Sequence, residues 1–181
     1  SKPLVIVESP TKVKTISKIL GSEYIVKSSV GHIRDLPRNA KAIPASYSNK
    51  EILWGAVKPK NFENIYVIPE DRKAIVKELK DLADKASDVY LATDDDREGE
   101  AIAYHLMESL ELKSEPKRIK FNEITEAAVT NAINNPETID IGKFKSYEAR
   151  RTLDRMIGYE ISPKVRDCLL YTSDAADEHS W

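Results

Sequence analysis

The sequence carries a single cysteine, Cys168. One thiol excludes an internal disulfide and any zinc site built on several cysteines, and a reducing cytoplasm is the simplest setting. No apolar run approaches the ~20 residues that a spanning helix needs, so no membrane partner is expected. The N-terminus enters an apolar segment at once. It lacks the series of basic stretch, hydrophobic region and cleavage site, and no secretion signal is read there. Strong charge of one sign is also missing: 28 Lys+Arg against 30 Asp+Glu leave a net charge of −2. That balance does not by itself advertise nucleic-acid binding. There is no internal repeat and no low-complexity segment.

What is present fits one domain with a small addition, at 181 residues. A hydrophobic fraction of 41% supports a core, and 32% charged residues solvate the surface, so neither disorder nor a membrane span is indicated. The balanced total hides a polarity. Lys2, Lys12, Lys14, Lys18, Lys27, Arg34, Arg38 and Lys41 outnumber Glu8, Glu23 and Asp35 in the first quarter, whereas residues 94–100 are acidic. A basic surface beside clustered carboxylates suits a phosphate held near a metal. Ordinary solvated helix faces would give the same count.

Leu4 to Val7 is a continuous apolar run, as in a strand buried on both faces of a parallel sheet. Ser9-Pro10 then reads as a helix N-cap with proline at the first helical position. Val13, Ile16, Ile19 and Leu20 keep helical spacing, and Gly21 stops the helix. Tyr24 to Val30 reads as a second strand. Residues 37–64, with Pro37, Pro44, Pro59 and an isolated Trp54, read as a long irregular excursion. Ile75, Leu79, Leu82 and Ala86 mark an amphipathic helix, Val89 to Ala92 a third strand, and Glu98 to Leu110 a further helix. Ile119 and Phe121 are placed in a fourth strand, with Arg118 just before it. Thr125 caps a helix running to about Asn134. Gly142 and its neighbours read as a linker, followed by a helix from Lys145 to Gly158. Strand–helix alternation with short apolar strands argues an α/β domain with a mainly parallel sheet flanked by helices.

Ligands of open parallel sheets bind beyond the carboxyl ends of the strands. Glu8 directly follows the first strand, and Asp94 closely follows the third. If these strands are neighbours, their carboxylates converge. Asp94, Asp96 and Glu98 alternate, so an extended turn points all three one way. Hard oxygens suit Mg²⁺, which usually keeps waters and a substrate phosphate. Crowded carboxylates also raise a pKa, which fits Glu8 for general acid work. Two other readings share the pattern: a solvated acidic turn favoured at a helix N-terminus, and a phosphotransfer enzyme with an aspartate nucleophile. Lys12, one turn into the first helix, reads either as a phosphate ligand or as part of a lysine-rich face. His105 follows the core pattern of its helix.

Five blocks, in order, carry a resemblance. They are Val5-Ile6-Val7-Glu8-Ser9-Pro10-Thr11-Lys12; Ser28-Ser29-Val30-Gly31-His32-Ile33-Arg34-Asp35-Leu36-Pro37; Ala92 to Ile102 around Asp94, Asp96 and Glu98; Phe121-Asn122-Glu123-Ile124-Thr125; and Ala149-Arg150-Arg151-Thr152-Leu153-Asp154-Arg155-Met156-Ile157-Gly158-Tyr159. Together they resemble the bacterial type IA DNA topoisomerases, of the topoisomerase I kind, over about residues 2–166. The resemblance implies a Toprim-type α/β domain over 1–141, followed at 142–167 by the beginning of a helical, DNA-binding domain. It implies transient cleavage of one DNA strand through a 5′-phosphotyrosine, strand passage and resealing, so that negative supercoils relax.

The same resemblance assigns roles. Glu8 would donate a proton to the leaving 3′-oxygen, and Lys12 would hold a phosphodiester oxygen. Asp94 and Asp96 would hold Mg²⁺, with Glu98 supporting and Glu8 close by. His32, Arg150, Arg151, Asp154 and Tyr159 would approach DNA; Arg34 either shares that role or pairs with Asp35, and Arg118, by its place just before the fourth strand, reads as a phosphate contact from outside. Asp154 shares a helix face with Arg150 by its i,i+4 spacing and is expected to orient it. The partners implied are a single-stranded region of negatively supercoiled duplex and the remaining domains of the same enzyme, which is expected to be a monomer in the cytoplasm, associated with the nucleoid.

Two departures stand against the family pattern. No block resembling tyrosine-x-arginine-threonine-aspartate, the family's nucleophile block, occurs, and Tyr171 lacks the arginine. The chain is therefore expected to be a fragment, inactive alone. Resemblance also fades near Arg166, and 168–181, with His179 and Trp181, is expected to be an atypical tail without functional weight. The competing assignments are an isolated metal- and DNA-binding module and the Toprim domain of a primase or nuclease.

Overall fold

A computed structural model describes residues 1–47 and 52–168. The expected tail therefore lies outside the described residues, with Tyr171, His179 and Trp181, except for Cys168, which is exposed. Residues 48–51 of the expected irregular excursion lie outside them as well.

Strand β1 (Leu4–Val7), helix α1 (Pro10–Leu20) and strand β2 (Ile25–Ser28) form the first unit. Helix α2 (Lys73–Lys85), strand β3 (Val89–Leu91), helix α3 (Arg97–Leu110), strand β4 (Lys117–Arg118), helix α4 (Glu126–Asn134) and helix α5 (Ile141–Glu160) follow. The sheet order is β2-β1-β3-β4, and every pairing is parallel. The expected mainly parallel α/β sheet is thus observed. Leu4 pairs with Ile25 on one side and with Val89 on the other, so β1 is central and all four of its residues are buried.

The period of two along each strand divides the core into two layers. Leu4, Ile6, Val89 and Leu91 pack with Val76 and Leu79 of α2 and with Ile102 and Leu106 of α3. Val5, Val7, Tyr90 and Ala92 face the other way, with Ile16 of α1 and Ala132 of α4. Each fully buried aliphatic side chain contributes about 1.5–3 kcal/mol. The central strand is therefore the hardest part of the chain to distort, and it carries Glu8 at its end.

Two helix caps are where the sequence put them. Ser9 accepts from the Lys12 amide, with Pro10 at the first helical position, and Thr125 accepts from the Ala128 amide. Two boundaries differ. The expected fourth strand begins earlier: Tyr90 and Leu91 pair with Lys117 and Arg118, so Arg118 lies within β4 and Phe121 beyond it. The outer edge of β4 is closed by Glu137, which exchanges both backbone bonds with Arg118 (2.9 and 2.7 Å). Gly142, expected in a linker, lies in the first turn of α5, because Asp140 caps that helix by accepting from the Lys143 amide. The helix then packs directly on α3. Phe144 is buried and stacks on Tyr104 with ring centroids 3.7 Å apart.

The irregular excursion is pinned to α5. Asn64 hydrogen-bonds Thr152 (2.9 Å), Tyr66 donates to Glu148 (2.7 Å) and Trp54 donates to Glu160 (3.0 Å). Among the described residues, no helix is long and apolar enough to cross a membrane.

Candidate metal and phosphate site

Glu8 leaves the end of β1, and the Ser9 cap starts α1 at once, so Lys12 comes one helical turn later on the same side. Its ammonium donates to Glu8 Oε1 at 2.6 Å and also to Asp94 Oδ1. Asp94 is brought there by β3, the neighbour of β1, and its own amide donates to Glu8 Oε1 at 3.2 Å. Glu8 and Asp94 thus converge at two adjacent strand ends, with Lys12 between them.

This crowding separates the two acids. Burial, and then the hydrogen bond to Asp94, raise the Glu8 carboxyl above its ordinary range, against the pull of Lys12. The hydrogen bond with Glu8 and the ammonium of Lys12 hold Asp94 low. Of the two, Glu8 is therefore the one that holds its proton to the higher pH. Burial works against the charge on Lys12, but its bonds to Asp94 and Glu8 outweigh it and raise its pKa.

The rest of the acidic run is not an alternating extended turn. Asp96 is the N-cap of α3, its Oδ1 accepting from the Gly99 amide at 2.6 Å. Glu98 already lies in the helix, with Oε1 3.4 Å from His32 Nε2. Gly99 is required here by close approach, since a Cβ on it would collide with the Asp94 carbonyl. Among the described residues, no three His, Cys, Asp or Glu side chains converge as a ready metal cage. The donor set still suits Mg²⁺: two hard carboxylates, on Glu8 and Asp94, already enclose a cation in the form of the Lys12 ammonium. One oxygen of Asp96 is engaged in the cap. A hard cation bound by few carboxylates and by substrate oxygens fits such an open site.

A groove of about 690 Å³ lies alongside, lined by Asp95, Asp96, Arg97, Glu98, Lys143, Tyr147 and Arg150. One wall is the acidic run and the other is α5. Lys143 donates to Asp95 at 2.8 Å. The His32 ring stacks on Tyr147, with centroids 5.6 Å apart and planes 19° apart. Burial lowers the His32 pKa against the influence of Glu98 and Asp35. The sequence reading missed Lys143 and Tyr147. Their spacing to Arg150, 143-147-150, places all three on one helix face, and that signal was available once the helix was started at its true N-cap.

The residues expected on DNA separate into groups. His32 and Arg150 lie at the groove. Arg151 makes a two-pronged pair with Asp35 (3.3 and 3.0 Å). Among the described residues, no ion pair joins Asp154 to Arg150 or to any other residue. Tyr159 is half-exposed and lies over Gly55, which adopts the left-handed conformation (φ 67°). Arg34 turns inward, donating to His105 Nδ1 at 3.0 Å with its guanidinium over Tyr66, and does not pair with Asp35. The Arg118 expectation fails. Its side chain is fully buried against Glu100 and cannot reach a phosphate from outside.

His105 is a buried core residue, as its place in the helix pattern suggested. Burial, and then the Arg34 and His32 charges, push its pKa down to about 3. A buried neutral histidine binds fewer protons than its unfolded counterpart, which titrates near 6.5. No penalty exists above that pH, and it grows as pH falls towards 3. Wild-type stability should therefore decline on acidification through this window, and His105→Phe should show a shallower decline in urea titrations at stepped pH. Parallel profiles would remove His105 as a source of acid sensitivity.

Comparison with known proteins agrees with this geometry. Residues 3–124 match the Toprim domain family. The chain is 51% identical over 163 residues to DNA topoisomerase 1 of Mycolicibacterium smegmatis, covering 88% of this chain and 17% of that protein. It is 49% identical over 160 residues to DNA topoisomerase 1 of Streptomyces coelicolor, again covering 88% and 17%. The solved structure of full-length topoisomerase I from Thermotoga maritima superposes with a TM-score of 0.77 at 40% identity, covering 90% of this chain and 26% of that one. The chain therefore spans about 17% of the length of these curated relatives. With a parallel sheet, acidic strand ends and half-identical relatives all in agreement, the chain belongs to the Toprim domain family, in the form found in bacterial topoisomerase I.

Proposed function

We propose that this chain is the Mg²⁺- and phosphate-holding part of a type IA DNA topoisomerase, which cuts one strand of DNA, passes a strand and reseals the break. The observation that carries the reading is the Glu8–Lys12–Asp94 cluster at the ends of two adjacent parallel strands. A carboxyl with a raised pKa, an ammonium and a carboxylate with a lowered pKa within hydrogen-bond reach suit phosphodiester exchange.

In this reading a tyrosine, supplied from outside the matched region, loses its phenolic proton to solvent and attacks phosphorus, and the 3′-oxygen leaves. Glu8 gives that oxygen its proton, and takes it back when the 3′-hydroxyl attacks the phosphotyrosine. Lys12, whose ammonium stands at the N-terminal end of α1, holds a non-bridging phosphate oxygen. Asp94 and Asp96 would hold Mg²⁺, with Glu98 and Glu8 close by, and the bound ion supplies charge neutralisation at the phosphate and 3′-end. Arg150 and Lys143 line the groove in which the strand would lie, with His32 stacked on its Tyr147; in this reading Arg151, Asp154 and Tyr159, elsewhere on α5, would meet the DNA outside it. The partners in this reading are single-stranded DNA in negatively supercoiled duplex and the remaining domains of the enzyme.

Two measurements test this reading. Mg²⁺ affinity, titrated on the isolated chain, should fall by about tenfold or more in Asp94→Asn/Asp96→Asn, because affinity for hard cations follows carboxylate number. Equal affinity would end the metal assignment. Relaxation of supercoiled DNA should appear when the chain is mixed with the downstream domains of a relative in Mg²⁺, and should vanish in chelator. Folded pieces that never relax DNA together would overturn the topoisomerase assignment.

A further inference from the structure

Among the described residues, two fully buried charges, Arg118 and Glu100, do not line the groove. They pair at 3.3 Å. The guanidinium makes five contacts, with the two Nη1 hydrogens shared among three carbonyls. Nε faces Glu100; Nη1 donates to the carbonyls of Leu91 (3.1 Å), Thr93 (2.7 Å) and Ile119 (2.9 Å); Nη2 donates to the carbonyl of Asp94 at 2.7 Å. Thr93 and Asp94 lie beyond the end of β3, where no neighbouring strand takes up their carbonyls. Glu100 uses its other oxygen to accept from the Asp140 amide at 2.7 Å, immediately before α5. One buried pair therefore touches the acidic turn, the first turn of α3 and the entrance to the opposite wall of the groove.

We propose that Arg118 is the positioning residue of the acidic turn, with Glu100 fixing the register of α5 against it; this rests on the reading of Glu8 and Asp94 as a cation site. Stability alone does not explain the arrangement. A buried ion pair is often no more stable than apolar side chains of the same volume, so the particular use of a planar fork calls for a geometric reason. Buried backbone carbonyls must find donors. Here one rigid group supplies them along the segment that aims the Asp94 carboxylate at Glu8 and Lys12. Lysine would keep the charge opposite Glu100 but offers three donors from a single point, and it cannot span the same carbonyls.

The test compares Arg118→Lys with Val129→Ala, a buried site in α4, the helix that packs on α1, at a temperature where both are folded. Amide hydrogen exchange at Asp94 and Gly99 should quicken about tenfold in Arg118→Lys relative to Val129→Ala, and Mg²⁺ affinity should fall about tenfold. A purely structural role predicts equal effects in the two variants, and that result would overturn the proposal. If Asp94→Asn/Asp96→Asn binds Mg²⁺ as wild type does, the cation reading falls, and exchange alone decides: quickened exchange supports positioning by Arg118, and unchanged exchange overturns it. Should Arg118→Lys not fold, Arg118→Met/Glu100→Met, which leaves no charge buried there, takes its place under the same criteria.

Discussion

Glu8→Gln, measured with the downstream domains present, is expected to slow strand cleavage by about 10²-fold or more, the scale of losing a positioned general acid. The substitution is informative because it disturbs little else. Glu8 Oε1 accepts from the Lys12 ammonium and from the Asp94 amide, and a glutamine carbonyl can accept both. What disappears is the proton. Burial and the Asp94 hydrogen bond raise the Glu8 pKa against the pull of Lys12, the direction that the proposed proton transfer to the leaving 3′-oxygen requires. Single-turnover cleavage of an end-labelled single strand measures the step directly. A rate within twofold of wild type would remove Glu8 from proton transfer and leave it as a holder of Lys12.

Arg118→Met should destabilise the chain by about 3–5 kcal/mol, because it strips the fully buried Glu100 of its nearer cation, leaving Lys120 at 3.7 Å, and removes the donors of four backbone carbonyls. In a chain of this size that corresponds to a fall in Tm of roughly 6–20 °C. The companion Arg118→Met/Glu100→Met should recover part of the loss, since the two changes are coupled through one contact. Urea denaturation of the two variants measures both numbers. A single-variant loss under about 1 kcal/mol would mean that the pair behaves like an exposed one, contradicting its burial.

The parts legible in the sequence were those governed by local chemistry. An apolar tetrapeptide ending at Glu8, followed by Ser9-Pro10, specifies strand, cap and helix within a few residues, and the same rule sets Thr125 before α4. The convergence of Glu8 and Asp94 followed from the strand-end rule and needed only that β1 and β3 be neighbours. Lys12 was found for the same local reason, one helical turn after Glu8.

What was not legible depended on register or on partners far along the chain. Whether Arg118 stands outside the sheet or inside it turns on which residues pair with Tyr90 and Leu91, and a two-residue strand carries no periodicity to say. Asp96 satisfies two patterns equally, metal ligand and helix cap, and the hydrogen bond to Gly99 expresses the second. Gly142 looked like a hinge because glycine is rare inside helices, yet Asp140 two positions earlier was a usable cap. Arg34 finds His105 across 71 positions, a contact that only the packed core of α3 creates.

The closure of β4 by Glu137 limits how this module can associate. An open parallel sheet exposes two rims, and an unpaired rim invites a strand from another chain. Here one rim is sealed by a residue of the same chain through two backbone bonds. The other, β2, is only four residues long and carries Lys27, paired with Glu78, a charge that discourages edge-to-edge growth. The β4 rim is thus closed to a further strand, and the β2 rim is short and charged, so contacts through side chains are favoured over extension of the sheet.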